Sequence, residues 1–139
     1  MSNLVRFGVS LDADLLDRFD ELIDRMGYAN RSEAIRDLFR EKLIEQEWKT
    51  PGKEIFAVVS LVYDHHTMEV HRRLTELQHR SYAAIISTMH VHIDQHNCLE
   101  LIVLKGEGDD VRSLAEHLIS LKGVKYGRLN MGTTGSSLK

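Results

Sequence analysis

One cysteine and one proline occur in 139 residues. The single thiol, Cys98, excludes an intramolecular disulfide. It leaves three roles open: an inert buried thiol, a nucleophile or a metal ligand. No apolar run approaches the ~20 residues that a membrane-spanning helix needs. The opening residues MSNLVRFGVSLD lack the apolar stretch and cleavage site of a signal peptide, so the expected location is cytoplasmic. Positive charge is scarce as well: 18 Lys+Arg stand against 21 Asp+Glu, a net charge of −3. Residues 1–50 hold 8 basic and 11 acidic side chains, and the rest of the chain 10 of each. Phosphate binding normally leaves a positive footprint, so neither half looks like a nucleic-acid binder by bulk charge. Histidine, by contrast, is plentiful: there are eight. Three of them, His90, His92 and His96, lie within eight residues of Cys98.

The lone proline sits in Lys49-Thr50-Pro51-Gly52-Lys53, a break in regular structure. It predicts two domains, residues 1–48 and 54–132, with 46–53 as a hinge and Gly132 to Ser137 as a frayed tail. In the first, Val5, Phe7, Val9 and Leu11 alternate with Arg6, Gly8 and Ser10, which predicts a strand over 4–11. Asp12 caps a helix with an apolar stripe from Leu15 to Met26, ended by Gly27. A second helix starts near Asn30, spaced from Glu33 as in a capping box, with Ala34, Ile35, Leu38, Phe39 and Leu43 as its buried face. One strand and two short helices cannot enclose a core, so an intertwined dimer is expected. In the second domain, strands over 54–63, 82–93, 97–105 and 124–131 alternate with helices over 67–80 and 109–122. The fold class is therefore α+β, with a β-α-α unit followed by a ferredoxin-like β-α-β-β-α-β domain.

His90 and His92 are two apart and share one face of a strand. Cys98 begins the next strand. With a three-residue turn over 94–96, His92 faces Cys98 and Glu100 faces His90; a two-residue turn would put Cys98 on the wrong face. In this register Met89, Val91, Leu99 and Leu101 are expected to pack under the helices. The metal donors would then lie on the uncovered face, where another subunit could add a fourth ligand. Thiolate with imidazole suits Ni, Cu or Zn, and three donors in one layer favour Ni(II) or Cu(II). Surface histidines beside a buried thiol are the plainer alternative.

Arg6, Gly8 and Ser10 share the polar face of the first strand. Paired with a second copy, that strand makes a ribbon that the DNA major groove admits. The helix start at Asn30, Arg31 and Ser32 offers backbone N–H groups to a phosphate, which lowers the need for cations. The same residues also read as an ordinary solvent-facing edge.

Taken together, Gly27-Tyr28-x-Asn30-Arg31-Ser32-Glu33-Ala34-Ile35-Arg36-Asp37, the stretch Met89–Ile93 and Cys98–Glu100 resemble one family. It is that of nickel-responsive transcriptional regulators of the bacterial and archaeal type. The resemblance implies ribbon-helix-helix dimers joined to a core of four ACT-type domains, a homotetramer built as a dimer of dimers. It implies one square-planar Ni(2+) per subunit, held by His90, His92 and Cys98 with His79 of a neighbour. It also implies a second cation near Glu33 and Asp37, and a repressor of operator DNA that is not an enzyme. Two departures are visible. Arg6-Phe7-Gly8-Val9-Ser10 replaces the frequent Arg-x-Thr-x-Thr, so a different operator sequence is expected. Met89 replaces Leu, a volume-conserving change. A regulator sensing Cu or Zn, an enzyme with Cys98 as nucleophile and a metal-free regulator are the rival readings.

Overall fold

A computed structural model describes residues 3–67, 69–80 and 83–138, leaving aside the side chain of Gln78. Contacts divide the chain into Met1–Glu41 and Lys42–Lys139. Residue 82, the expected start of a strand, and residue 68, in an expected helix, lie outside the described residues.

In the first unit, α1 spans Ala13–Arg25 and α2 begins at Arg31 and runs to Glu47. Asp12 caps α1 by accepting the Asp14 N–H at 3.0 Å. Gly27, with φ of +82°, lets the chain turn back, so that Gly27 N–H reaches the Asp24 carbonyl and Tyr28 N–H the Ile23 carbonyl. This paired C-terminal bonding is why a glycine is needed there. Asn30 Oδ1 accepts the Glu33 N–H at 3.0 Å and caps α2. Residues 3–12 belong to no regular element. A strand is defined by its ladder, and the ladder expected for residues 4–11 requires a second chain. Ile23 and Ala34 are the buried apolar residues of this unit among those described. Leu38, Phe39 and Leu43, expected to be buried, are about half exposed, as are Leu15 and Leu22. That much exposed apolar surface on two helices calls for a partner.

The second unit holds β1 (Glu54–Asp64), α3 (Glu69–Arg80), β2 (Ala84–His92), β3 (Asn97–Glu107), α4 (Gly108–Ile119) and β4 (Val124–Met131). The sheet is antiparallel in the order β2-β3-β1-β4. This is the ferredoxin-like arrangement that the element order predicts. Ile55, Ala57, Val59, Leu61 and Tyr63 of β1 point into the core. Opposite them stand Leu104, Ile102, Glu100 and Cys98 of β3. Val70 and Leu74 of α3 and Val111, Leu114 and Leu118 of α4 cover that face.

The covered face is thus the reverse of the expected one. Cys98, Glu100, Ile102 and Leu104 lie under the helices, while Met89 is 59% and Val91 40% exposed on the other side. Alternation groups residues by face; which group meets the helices depends on β1, a long-range partner.

The expected hinge and frayed tail are joined to the body. Trp48 Nε1–H donates to the Gly132 carbonyl at 3.0 Å, Thr133 Oγ1 donates to Glu47 at 2.6 Å, and Lys53 pairs with Glu47 at 3.5 Å. Pro51 and Gly52 (φ +75°) form a turn closed by the Lys53 N–H on the Thr50 carbonyl.

Candidate metal centre

The hairpin joining β2 to β3 brings the donor residues together. His92 pairs with Cys98 and His90 with Glu100, as a three-residue turn requires. Asp94 fixes that turn: its Oδ1 accepts the N–H groups of His96 at 2.7 Å and Asn97 at 2.8 Å. These bonds hold the Asp94 carboxyl at a pKa of about 2, below its ordinary value, with the Asn97 side chain the largest contributor. One donor atom each from His90, His92 and Cys98 lies within 4.8 Å of the others. Cys98 Sγ is 3.4 Å from His92 Nδ1. Sulfur and nitrogen bound to one metal at ~2.3 and ~2.1 Å lie roughly 3.1–3.6 Å apart, so this pair fits a shared ion.

The surroundings prepare these donors. Glu100 is buried, and its Oε2 lies 2.7 Å from His90 Nδ1. A carboxylate there favours the proton on Nδ1 and leaves Nε2 free to ligate. Tyr63, fully buried, donates its hydroxyl to the same Oε2 at 3.1 Å. That hydroxyl is also 3.1 Å from His71 Nε2 and from His90 Nδ1. A buried carboxylate is costly unless satisfied, and these contacts satisfy it. Burial raises the Tyr63 pKa, with the Glu100 charge adding to the effect. Burial likewise raises the Cys98 thiol, helped by the carboxylates of Glu100, Asp94 and Asp64. A metal ion bound there would have to displace the thiol's proton.

Tyr63 was missed in the sequence, and spacing alone does not separate His71 from His79 or His96. Tyr63 carried one signal: a polar-tipped aromatic ending a strand that is buried at every second residue needs a partner for its hydroxyl. His79 lies in the exposed last turn of α3 and is outside the cluster of His90, His92 and Cys98 in this chain.

The first unit distributes the other named residues differently. Arg31 forms a two-pronged pair with Asp20, at 2.7 and 2.6 Å. Asn30 is spent on the α2 cap. Arg6, Gly8, Ser10 and Ser32 are exposed. Asp37 gives one oxygen to Tyr28 at 2.9 Å and the other to Arg40 at 3.0 Å. Among the described residues no third donor joins Glu33 and Asp37.

A buried thiol and two imidazoles gathered on a ferredoxin-like sheet, in a chain that opens with a short two-helix unit, form a donor set of the kind that could hold a metal ion. Residues 56–132 match the family described as the NikR C terminal nickel binding domain, and residues 5–46 match the ribbon-helix-helix proteins of the copG family. The chain belongs to this nickel-responsive regulator family, whose members are transcriptional regulators and not enzymes. A putative nickel-responsive regulator of Nitratidesulfovibrio vulgaris (strain DSM 19637 / Miyazaki F) is 54% identical over 99% of both chains. One from Solibacter usitatus (strain Ellin6076) is 52% identical over the whole of both. One from Geobacter sp. (strain M21) is 52% identical over 99% of both. The ribbon-helix-helix unit makes the protein an oligomeric DNA binder. No helix among the described residues is long and apolar enough to cross a membrane.

Proposed function

We propose that this regulator is a cytoplasmic repressor that engages operator DNA when Ni(2+) is bound, one ion per subunit, by His90, His92 and Cys98. His79 of a neighbouring subunit supplies the fourth donor in a homotetramer made of two dimers. Residues 1–48 form the DNA-binding domain and residues 54–132 the metal-binding one. Arg6, Gly8 and Ser10 face the bases; Asn30, Arg31 and Ser32 at the start of α2 face phosphate. Glu33 and Asp37 take a second cation, and Glu100 orients His90. The observation that carries the reading is the short bond between Glu100 and His90 beside the close Cys98–His92 pair. A buried acid placed to orient an imidazole is what a metal ligand needs and a surface histidine does not.

The exposed apolar stripe of Met89, Val91 and Val58 on the uncovered sheet face supports assembly of the second unit with further copies. Nickel, when bound, links subunits and so favours one arrangement of the assembly over others; only such a differential preference can switch DNA affinity. Cys98→Ser tests the proposal. Operator binding in a mobility-shift assay should lose its dependence on added Ni(2+), and unchanged nickel dependence would refute the site. A colourless, tetrahedral complex formed preferentially with Zn would favour the rival in which another metal is sensed.

A further inference from the structure

We propose that the outer edge of β4 takes up an extended acidic segment of a partner protein as a fifth strand, its side chains alternating between apolar and acidic. The sheet order β2-β3-β1-β4 gives β4 a neighbour on one side, and no strand pairs with its other edge among the described residues. The Gly132 N–H bonds the Phe56 carbonyl at 2.7 Å, and in the same register Asn130 pairs with Val58 and Arg128 with Ser60. Antiparallel ladders alternate, so Gly127, Leu129 and Met131 turn their N–H and C=O groups away from β1. Such a row is a template for a further strand.

A groove of about 530 Å³ runs along that edge, wholly within the second unit. Residues 127–131 all line it, with Trp48, Arg112 and Ile119. Neighbouring strand residues point to opposite faces, so lining by an unbroken run means that the groove follows the backbone edge. Its two sides differ. Gly127, Leu129 and Met131 stand opposite Leu61, Val59 and Ala57, core residues of β1, and so lie on the helix-covered side. There Leu129, Met131, Ile119 and Trp48 pack, partly buried, against the core. Tyr126 and Arg128 lie on the other side, the guanidinium 5.6 Å from the centre of the Tyr126 ring. A strand added here would set alternate side chains against the apolar side and against Arg128.

Charge sets the partner's chemistry. The charged residues among those lining the groove are Arg112 and Arg128, both cations. From His117 to Lys139 the sequence has four cations, Lys122, Lys125, Arg128 and Lys139, and no Asp or Glu. The net charge of −3 is therefore carried elsewhere in the chain. Beyond about 10 Å such distant charge is largely screened at ~0.1 M salt, so the local cations decide.

A second copy of this chain is a poor occupant. Antiparallel self-pairing along residues 127–131 would set Arg128 against or beside its own counterpart, and like charges across strands repel. Cations on an edge guard against such self-association, but the same cations attract an acidic strand. The chain's own C-terminal segment lies elsewhere. Lys53 Nζ donates to Ser136 Oγ at 3.4 Å and to Ser137 Oγ at 2.5 Å, and neither serine lines the groove.

The test is a calorimetric titration of the full-length, metal-free protein with the acetylated and amidated peptide Val-Glu-Val-Glu-Val-Glu, with hydrogen exchange read in parallel. Saturable binding is expected, and it should slow exchange of the Gly127, Leu129 and Met131 amides. The counterpart with lysine in place of glutamate should bind at least about tenfold more weakly. Arg112→Glu combined with Arg128→Glu should reverse that order; far-UV circular dichroism confirms that the variant folds. The fully N-methylated glutamate peptide keeps its charge but has no backbone donors, and it should not bind. Equal affinity for the two charged peptides, undiminished binding of the N-methylated one, or no saturation overturns the proposal. So does protection of the same amides by duplex DNA of arbitrary sequence, or, without peptide, protection that rises with protein concentration.

Discussion

His92 stands directly opposite Cys98 across the β2–β3 hairpin, with His92 Nδ1 3.4 Å from the Cys98 sulfur. The pairing depends on the length of the turn over 94–96. β3 is held by β1 along its full length, whereas β2 is an edge strand whose residues are mostly exposed. A change in turn length therefore moves β2 and not β3. Deleting Gln95 should turn His90 and His92 to the far face, since the side-chain period is two. The expected outcome is a folded protein, by circular dichroism, that has lost tight nickel binding in a calorimetric titration. Retention of affinity within a few-fold would show that the register does not control the site.

The turn also has its own acid dependence. Asp94 titrates at about 2 in the folded chain, below the ~3.9 of an unfolded aspartate. Its support of the hairpin is whole above about pH 4 and fades as pH falls towards 2. Asp94→Ala removes the acceptor of the His96 and Asn97 N–H groups at any pH. It should lower nickel affinity at pH 7 by about tenfold, as loss of an outer partner does. Wild type and variant should then converge in hairpin stability, measured by hydrogen exchange at Leu99 and Val91, as the pH is lowered to 2.

Glu100 and Tyr63 should act as one unit. Glu100→Gln removes the charge that holds the Nδ1 proton of His90, and Tyr63→Phe removes the hydroxyl that braces Glu100. Each should lower nickel affinity about 10- to 100-fold. The double variant should be little worse than Glu100→Gln, because the hydroxyl acts through the carboxylate. Additive losses in the titrations would mean that Tyr63 acts by a separate route, through His71.

How much of this was legible in the sequence depended on distance along the chain. The His-x-His spacing and the cap at Asp12 are local and legible; the facing of Cys98 and His92 was conditional on a three-residue turn, which the hairpin has. The element order likewise yields the ferredoxin-like sheet. The helix-covered face did not follow, because β3 is apolar on both sides. The decision belongs to β1, where Tyr63 faces Cys98 across 35 positions of sequence. Tyr63 escaped notice for the same reason: it reaches His90 across the sheet, and it meets His71 only once α3 has docked. His79 came from family resemblance alone. Leu38, Phe39 and Leu43 read as a buried face, which a single chain leaves uncovered. Residues 46–53 read as a hinge because proline and glycine break structure, yet the Gly132 carbonyl and the Thr133 hydroxyl, 84 and 86 positions from their partners, hold them down.

That last contact makes a prediction whose sign is unusual. Gly108 opens α4, and alanine in a helix is ordinarily preferred to glycine by about 1 kcal/mol. A Cβ on Gly108, however, would sit 1.9 Å from the Trp48 carbonyl oxygen and 2.7 Å from its carbon. Backbone atoms cannot swing aside as a side-chain tip can, and Trp48 is also held through its indole on Gly132. Gly108→Ala should therefore destabilise the metal-free protein, by about 1–3 kcal/mol as overpacking does. Gly8→Ala, where a Cβ meets nothing within 4 Å, should change stability by less than about 0.5 kcal/mol. Urea midpoints at one fixed protomer concentration would decide it, since oligomerisation shifts apparent stability. A Gly108→Ala protein as stable as wild type would mean that residues 46–53 can leave the second unit at little cost, which would restore them as the hinge.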